Sequence, residues 1–229
     1  FPLVARGPLS PGPRGKAYEL ACLRKLQDWM CMRLYRTGGS GDRGMDLCGW
    51  WTPSALVASK PSGTPSDTLS HAPDNASFRI VVQCKAERKA VGPAVVRELE
   101  GTLIRALWDK TQPMHVGVHD SPLATDLVAA PSDTPLVGIL TSLSGFSKHA
   151  LLSARSSRVP LLLAHLASSH ERSVEMLHND EPLTCRGFVW NDALAAPHGL
   201  LRGRFSIAWE AHSSRTPQVA ILHDGIIVA

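Results

Sequence analysis

Apolar and polar positions alternate with a helical period over residues 15–31. Glu19, Cys22, Leu23, Leu26 and Met30 fall on one stripe, with Lys16, Arg24, Lys25 and Asp28 mostly elsewhere. Gly12 and Pro13 precede this stretch as breakers, so a helix is expected to begin at 15. Residues 32–37 and 45–51 read as strands joined by a glycine-rich turn, where glycine permits positive φ and close backbone approach. Residues 79–86 read as a third strand, and its continuous Ile80-Val81-Val82 fits a strand covered on both faces. A second helix is expected over 93–109, with Val96, Leu99, Leu103 and Leu107 on one stripe and Gly101 attributed to close helix–sheet packing.

Further along, a short strand is expected at 115–118, a loop at 119–135, a buried strand at 136–142, a helix at 144–155 and a strand at 160–166. Strand–helix–strand alternation implies an α/β fold with a sheet sandwiched between helices. Past 167 the pattern shifts to short strands at 187–190, 204–211 and 218–222, which read as a β-rich C-terminal addition over 167–229. Residues 52–78 carry many Ser and Pro and few large apolar residues before Phe78, and read as a solvent loop inserted within the core. Residues 1–14 are rich in Pro, Gly and Arg and lack acidic groups. They read as a flexible segment, either a transit-peptide remnant or a frayed end.

Composition narrows the function classes. The chain has 229 residues, 44% hydrophobic and 19% charged, enough for a sizeable core. A net charge of +4 is compatible with a phosphate-backbone partner without requiring one. Five cysteines without Cys-Xaa-Xaa-Cys spacing argue against a disulfide framework or a zinc site. No apolar run reaches the roughly eighteen residues of a membrane span. The ten His form no His-Glu-Xaa-Xaa-His motif, and no nucleophile-elbow pattern occurs.

Two pieces carry chemistry together. Gly38-Gly39-Ser40-Gly41-Asp42-Arg43-Gly44-Met45-Asp46 ends a glycine-rich turn on an Asp, and Val81-Val82-Gln83-Cys84-Lys85 places Gln and Lys two apart in a strand. Residues two apart point to the same face, so Gln83 and Lys85 meet Asp46 if the two strands are neighbours. An Asp for a divalent cation, an oxygen ligand beside it and a Lys to orient a nucleophile make a phosphodiester-cleaving site. Asp42 reads as a turn-holding residue, and Trp50-Trp51 as core rather than base-stacking residues.

This Asp…Gln-Xaa-Lys pattern resembles the restriction-endonuclease-like nuclease superfamily, in its Mrr-type variant with Gln in place of an acidic residue. Gly15-Lys16-Ala17-Tyr18-Glu19, Val95-Val96-Arg97-Glu98-Leu99-Glu100-Gly101 and Ser144-Gly145-Phe146-Ser147-Lys148-His149-Ala150 resemble successive parts of that fold. Arg36-Thr37-Gly38-Gly39 and Asp46-Leu47-Cys48-Gly49-Trp50-Trp51 look most like a fungal mitochondrial branch, the "required for respiratory growth protein 7" family. The resemblance covers 14–166 and implies a restriction-endonuclease-like core over 15–166, a central mixed sheet flanked by helices.

The resemblance implies a mitochondrial, Mg²⁺- or Mn²⁺-dependent DNA endonuclease required for respiratory growth. Asp46, Gln83, Lys85 and Glu19 are its expected catalytic residues. Asp46, Gln83, the Cys84 carbonyl and Glu19 are the expected metal ligands, with Lys85 positioning and helping to deprotonate the attacking water. Glu19 is expected to supply the carboxylate that Gln83 lacks, because a lone Glu on a core-facing stripe is otherwise costly. Arg88, Lys89, Arg97 and Lys148 are the expected contacts to the phosphate backbone of mitochondrial DNA, and a second copy of the chain is a further candidate partner. The alternative is a catalytically degenerate nucleic-acid-binding or genome-maintenance factor on the same fold. A third reading is a factor acting through proteins only.

Overall fold

In the computed structural model, which describes residues 11–37, 44–58, 76–108, 134–168, 182–210 and 218–229, six strands build one mixed sheet. Their spatial order follows the chain: β1 (Arg33–Arg36), β2 (Leu47–Trp51), β3 (Phe78–Lys85), β4 (Leu136–Ser142), β5 (Leu161–Ser168) and β6 (Leu183–Trp190). β1, β2 and β3 pair antiparallel, β3, β4 and β5 parallel, and β6 closes the sheet antiparallel to β5. The parallel pairs are joined through helices, as parallel strands require.

Helix α1 (Pro11–Met30) covers one face. Its Tyr18, Cys22, Leu26 and Met30 form a core with Leu47, Ile80, Val82, Ile139 and Leu162. Helices α3 (Pro93–Trp108) and α4 (Lys148–Ser156) cover the other, where Val96, Leu99, Leu103, Ala150 and Ala154 meet Val81, Leu140 and Leu163. The continuous apolar run of β3 thus splits by parity between two cores, which is why it does not alternate. Between β2 and β3 lies a short helix, α2 (Ser54–Ala58). A four-residue helix, α5 (Asp192–Ala195), follows β6 and leads to a separate antiparallel sheet of β7 (Phe205–Glu210), β8 (Gln218–His223) and β9 (Ile226–Ile227). Phe205, Val219, Ile221 and Val228 of this small sheet bury into the α1-face core. No described helix is long and apolar enough to cross a membrane.

This is the α/β architecture expected from the sequence, a mixed sheet flanked by helices with a small C-terminal sheet. Four particulars differ. Helix α1 starts at Pro11, because proline is accepted in a helix's first turn, where the N–H groups have no partner. The β6 strand, expected in the C-terminal addition, joins the large sheet through seven register pairs with β5. Gly101 is exposed with nothing near its Cβ position. The close-packing glycine is Gly138 of β4, where a Cβ would lie 2.4 Å from Leu103 Cδ1. The start of the expected solvent loop is structured, with Leu56 of α2 only 1% exposed in the α1-face core. Residues 1–10, 59–75 and the expected strand at 115–118 lie outside the described residues.

The α2 helix is therefore part of the fold. Leu56→Ala is expected to lower unfolding stability by about 2–5 kcal/mol, the usual cost of a buried Leu cavity. Urea denaturation of wild type and variant measures it, and a difference below about 0.5 kcal/mol would return the segment to the surface.

Candidate catalytic and metal-binding site

The entry to β2 determines the site. Asp46 N donates to Val82 O at 2.9 Å, although Val82 already faces Leu47 in register. Two residues of one strand thus oppose one of the next, the count of a β-bulge. The Asp46 carbonyl accepts from Thr37 N at 3.0 Å, and the Met45 carbonyl accepts from Thr37 Oγ1. Asp46 Oδ2 then accepts the Cys84 N–H at 2.6 Å, ending the β2–β3 ladder with a charge-assisted bond. The bulge therefore sets the Asp46 carboxylate directly against the Gln83-Cys84-Lys85 segment.

Backbone alternation orients that segment further. Val82 O points toward β2 and Lys85 O toward β4, where it accepts from Leu143 N at 3.0 Å. The Cys84 carbonyl, one residue from each neighbour's direction, therefore opens toward β2, on the side of Asp46. The Cys84 side chain points the other way, toward α1. Burial pushes its thiol well above the ordinary range, with Cys22 nearby adding to the effect. It is inert as a thiol, and its backbone is what faces the site. Burial likewise pushes Cys48 up to about 12.

Gln83 and Lys85 share the face that carries α3. Gln83 is 2% exposed, and its Nε2 donates to Glu98 Oε1 of α3 at 3.4 Å, a long hydrogen bond. Its Oε1 is buried with no hydrogen-bond partner among the described residues. The reverse amide orientation would set two acceptor oxygens against each other, so the Nε2 assignment follows from Glu98. Gly44, with φ at +79°, closes over this pair, and a Cβ there would stand 3.1 Å from Gln83 Nε2 and 3.4 Å from Glu98 Oε1. Lys85 is half-buried at the C-terminal end of β3.

The expected metal ligands divide. Asp46 holds the Cys84 backbone N–H, and Gln83, the preceding residue of β3, turns its side chain to Glu98. The expectation that Glu19 joins them, its charge compensated by a metal or by Lys85, is replaced by a different compensation. Arg36 Nη2 and Nε donate to Glu19 Oε2 at 2.7 and 3.1 Å. Tyr18, not Glu19, centres the buried stripe of α1, so Glu19 flanks the helix and reaches β1. Among the described residues no three His, Cys, Asp or Glu side chains cluster for a metal. Carboxylate, amide and carbonyl oxygens, the groups that Asp46, Gln83 and Cys84 carry, are nevertheless donors that a hard cation takes together. Sequence reasoning missed Glu98. The available signal was its place one residue before Leu99 on the helix that follows the Gln-Xaa-Lys strand.

The rim is built from two loops fastened together. Val91 N donates to Gly145 O and Ser147 N to Val91 O, both at 2.9 Å, joining the β3–α3 and β4–α4 connections above the C-terminal ends of parallel strands. Ligands of open α/β sheets commonly bind at such ends. Arg88, Lys89, Arg97 and Lys148 are all exposed around this rim. Ser147 caps α4 by accepting from Ala150 N, which starts that helix later than residue 144. Both Trp50 and Trp51 are buried, as the core reading expects. Asp42 lies outside the described residues.

Comparison with known proteins adds a family likeness. A family model described as required for respiratory growth protein 7 matches residues 12–125, just under half of the chain. The chain is also 28% identical over 134 residues to a mitochondrial protein of Schizosaccharomyces pombe described as uncharacterized; the match covers 58% of this chain and 37% of that relative's length. No solved structure matches. These similarities place the protein in the mitochondrion, and the family that it resembles is one described as required for respiratory growth.

One titrating group sits under the rim. His165 Nε2 lies 3.2 Å from Leu143 O, and its ring packs beneath Gly145. Burial lowers its pKa; the Leu143 carbonyl opposes this and Arg186 adds to it. The unfolded chain, near 6.5, therefore takes up this proton at higher pH than the folded chain. Stability is present above that pH and falls as pH drops below it. His165→Gln is expected to flatten the fall in unfolding free energy between about pH 7 and 5, measured by denaturant titration against wild type. An unchanged slope would show that the ring is not held neutral by the fold.

Proposed function

We propose that the protein is a metal-dependent nuclease of the restriction-endonuclease-like superfamily that hydrolyses phosphodiester bonds of mitochondrial DNA. The observation that carries this reading is the buried Gln83 Oε1, without a hydrogen-bond partner among the described residues, on the residue next to Cys84, whose N–H binds the Asp46 carboxylate. An orphaned acceptor of this kind costs about 1–3 kcal/mol unless something fills it. Asp46, Gln83 and the Cys84 carbonyl would hold Mg²⁺ or Mn²⁺. When bound, the cation would supply charge stabilisation at the scissile phosphate.

The chain's own groups would do the rest. Lys85 would orient the attacking water from the same strand face as Gln83. Arg88, Lys89 and Arg97 would track the phosphate backbone, their exposed charges suiting a salt-dependent contact. Lys148 supports this reading by its position, since a cation at a helix N-terminus opposes the helix dipole and does not serve the helix itself. α3 and α4 carry no acidic residue in their first turns, so both helix N-termini suit anions.

A second reading is nucleic-acid binding without cleavage, on the same fold. The lack of three clustered acidic or metal-binding side chains among the described residues favours it. Cleavage assays on duplex and single-stranded DNA with Mg²⁺ or Mn²⁺ separate the two. The nuclease reading expects cleavage that falls by at least about 100-fold in both Asp46→Ala and Lys85→Ala, the scale of losing one group that acts on the transition state. DNA binding that weakens with salt, without cleavage by wild type, would support the second reading and overturn the first.

A further inference from the structure

We infer that Glu98 is the second acidic group of this site: it supplies from α3 the negative charge that Gln83 lacks and turns the Gln83 amide so that its oxygen faces the cation. The inference rests on the nuclease reading above and deepens it.

Three observations meet at this residue. Glu98 Oε1 lies 3.4 Å from Gln83 Nε2, so the carboxylate is the direct neighbour of the neutral residue. Its acceptor oxygen fixes the amide's orientation, because only the NH₂ end can face a carboxylate. The opposite end, Oε1, is thereby left buried and unpartnered. Gly44 completes the enclosure. Its positive φ and missing Cβ let the glycine-rich turn close to within contact of both Gln83 Nε2 and Glu98 Oε1.

The charge argument points the same way. A hard cation is commonly held by one or two carboxylates with neutral oxygens and water. Asp46 is one, and the structure gives Glu19 to Arg36. Among the described residues, Glu98 is the carboxylate that remains in contact with Gln83, exposed while Gln83 is buried. A Glu at position 83 would face Glu98 at repulsive range, so the Gln is the choice that fits a charge already present on α3. Glu98 is thus a positioning residue for Gln83 and a local source of charge.

Charge exchange tests this. Mn²⁺ is titrated by calorimetry into wild type, Asp46→Ala, Glu98→Gln and the double variant Gln83→Glu/Glu98→Gln, with circular dichroism melts checking the fold of each. The expected result is that Asp46→Ala abolishes binding and Glu98→Gln weakens it 10- to 100-fold, as outer-shell partners of metal ligands commonly do. The double variant, which returns the charge to the strand and keeps an amide–carboxylate pair, is expected to recover affinity to within about threefold of wild type. Unchanged affinity in Glu98→Gln, with binding still lost in Asp46→Ala, would overturn this inference and leave the nuclease reading standing. Failure of the double variant to recover affinity while its melt matches wild type would also overturn it, reducing Glu98 to a structural partner. Equal binding by wild type and Asp46→Ala would remove the nuclease reading and this inference together.

Discussion

The short bond from the Cys84 N–H to the Asp46 carboxylate, 2.6 Å long, is the constraint on which the site depends. It joins the start of one strand to the end of another, and it exists because the chain carries an extra residue opposite Val82. A regular ladder would have spent that N–H on a backbone carbonyl. The bulge instead brings a side-chain anion to the edge of the sheet, where β3 ends and the flanking loops begin. Two neighbouring features accompany it: the closing of Gly44 over Gln83 and the anchoring of the turn through Thr37.

The sheet separates two kinds of polar residue. On the α1 face, Tyr18, Cys22, Cys84 and Thr141 form a neutral cluster. Burial raises the Tyr18 hydroxyl and the Cys84 thiol far from ionisation, and the Tyr18 hydroxyl donates to Leu166 O. These groups fasten helix to sheet. On the α3 face, Gln83, Lys85 and Glu98 sit at the end of the strand, under two loops tied by Val91 and Gly145. The α1-face cluster serves structure, and the α3 face carries the amide oxygen that lacks a partner among the described residues. Proximity to α1 alone therefore does not make Glu19 part of the site.

Much of the fold was legible in the chain because its signals are local. β4 and β5 open on apolar runs, α3 has a stripe that is buried through Leu103 while Leu107 at its end is exposed, and a Gln and a Lys two apart in a strand must share a face. Other features depend on partners that no local pattern specifies. The stripe of α1 rotates by one residue, from Glu19 to Tyr18, because Arg36 of β1 is placed to take the carboxylate. The β6 strand joins the large sheet because β5 offers an open edge, and its own sequence does not distinguish that edge from the small sheet. Glu98 reads as an ordinary exposed helix residue until β3 is packed beneath it.

The central claim is that Asp46, the Cys84 carbonyl and Gln83 Oε1 form one cation site. Crystals grown with Mn²⁺ and measured for anomalous scattering test it most directly. The account predicts a single strong peak within about 2.0–2.6 Å of oxygens from those three residues, the range of first-shell bonds to hard cations. A peak elsewhere, or none at this position at millimolar Mn²⁺ with Gln83 Oε1 hydrogen-bonded to protein, would contradict it.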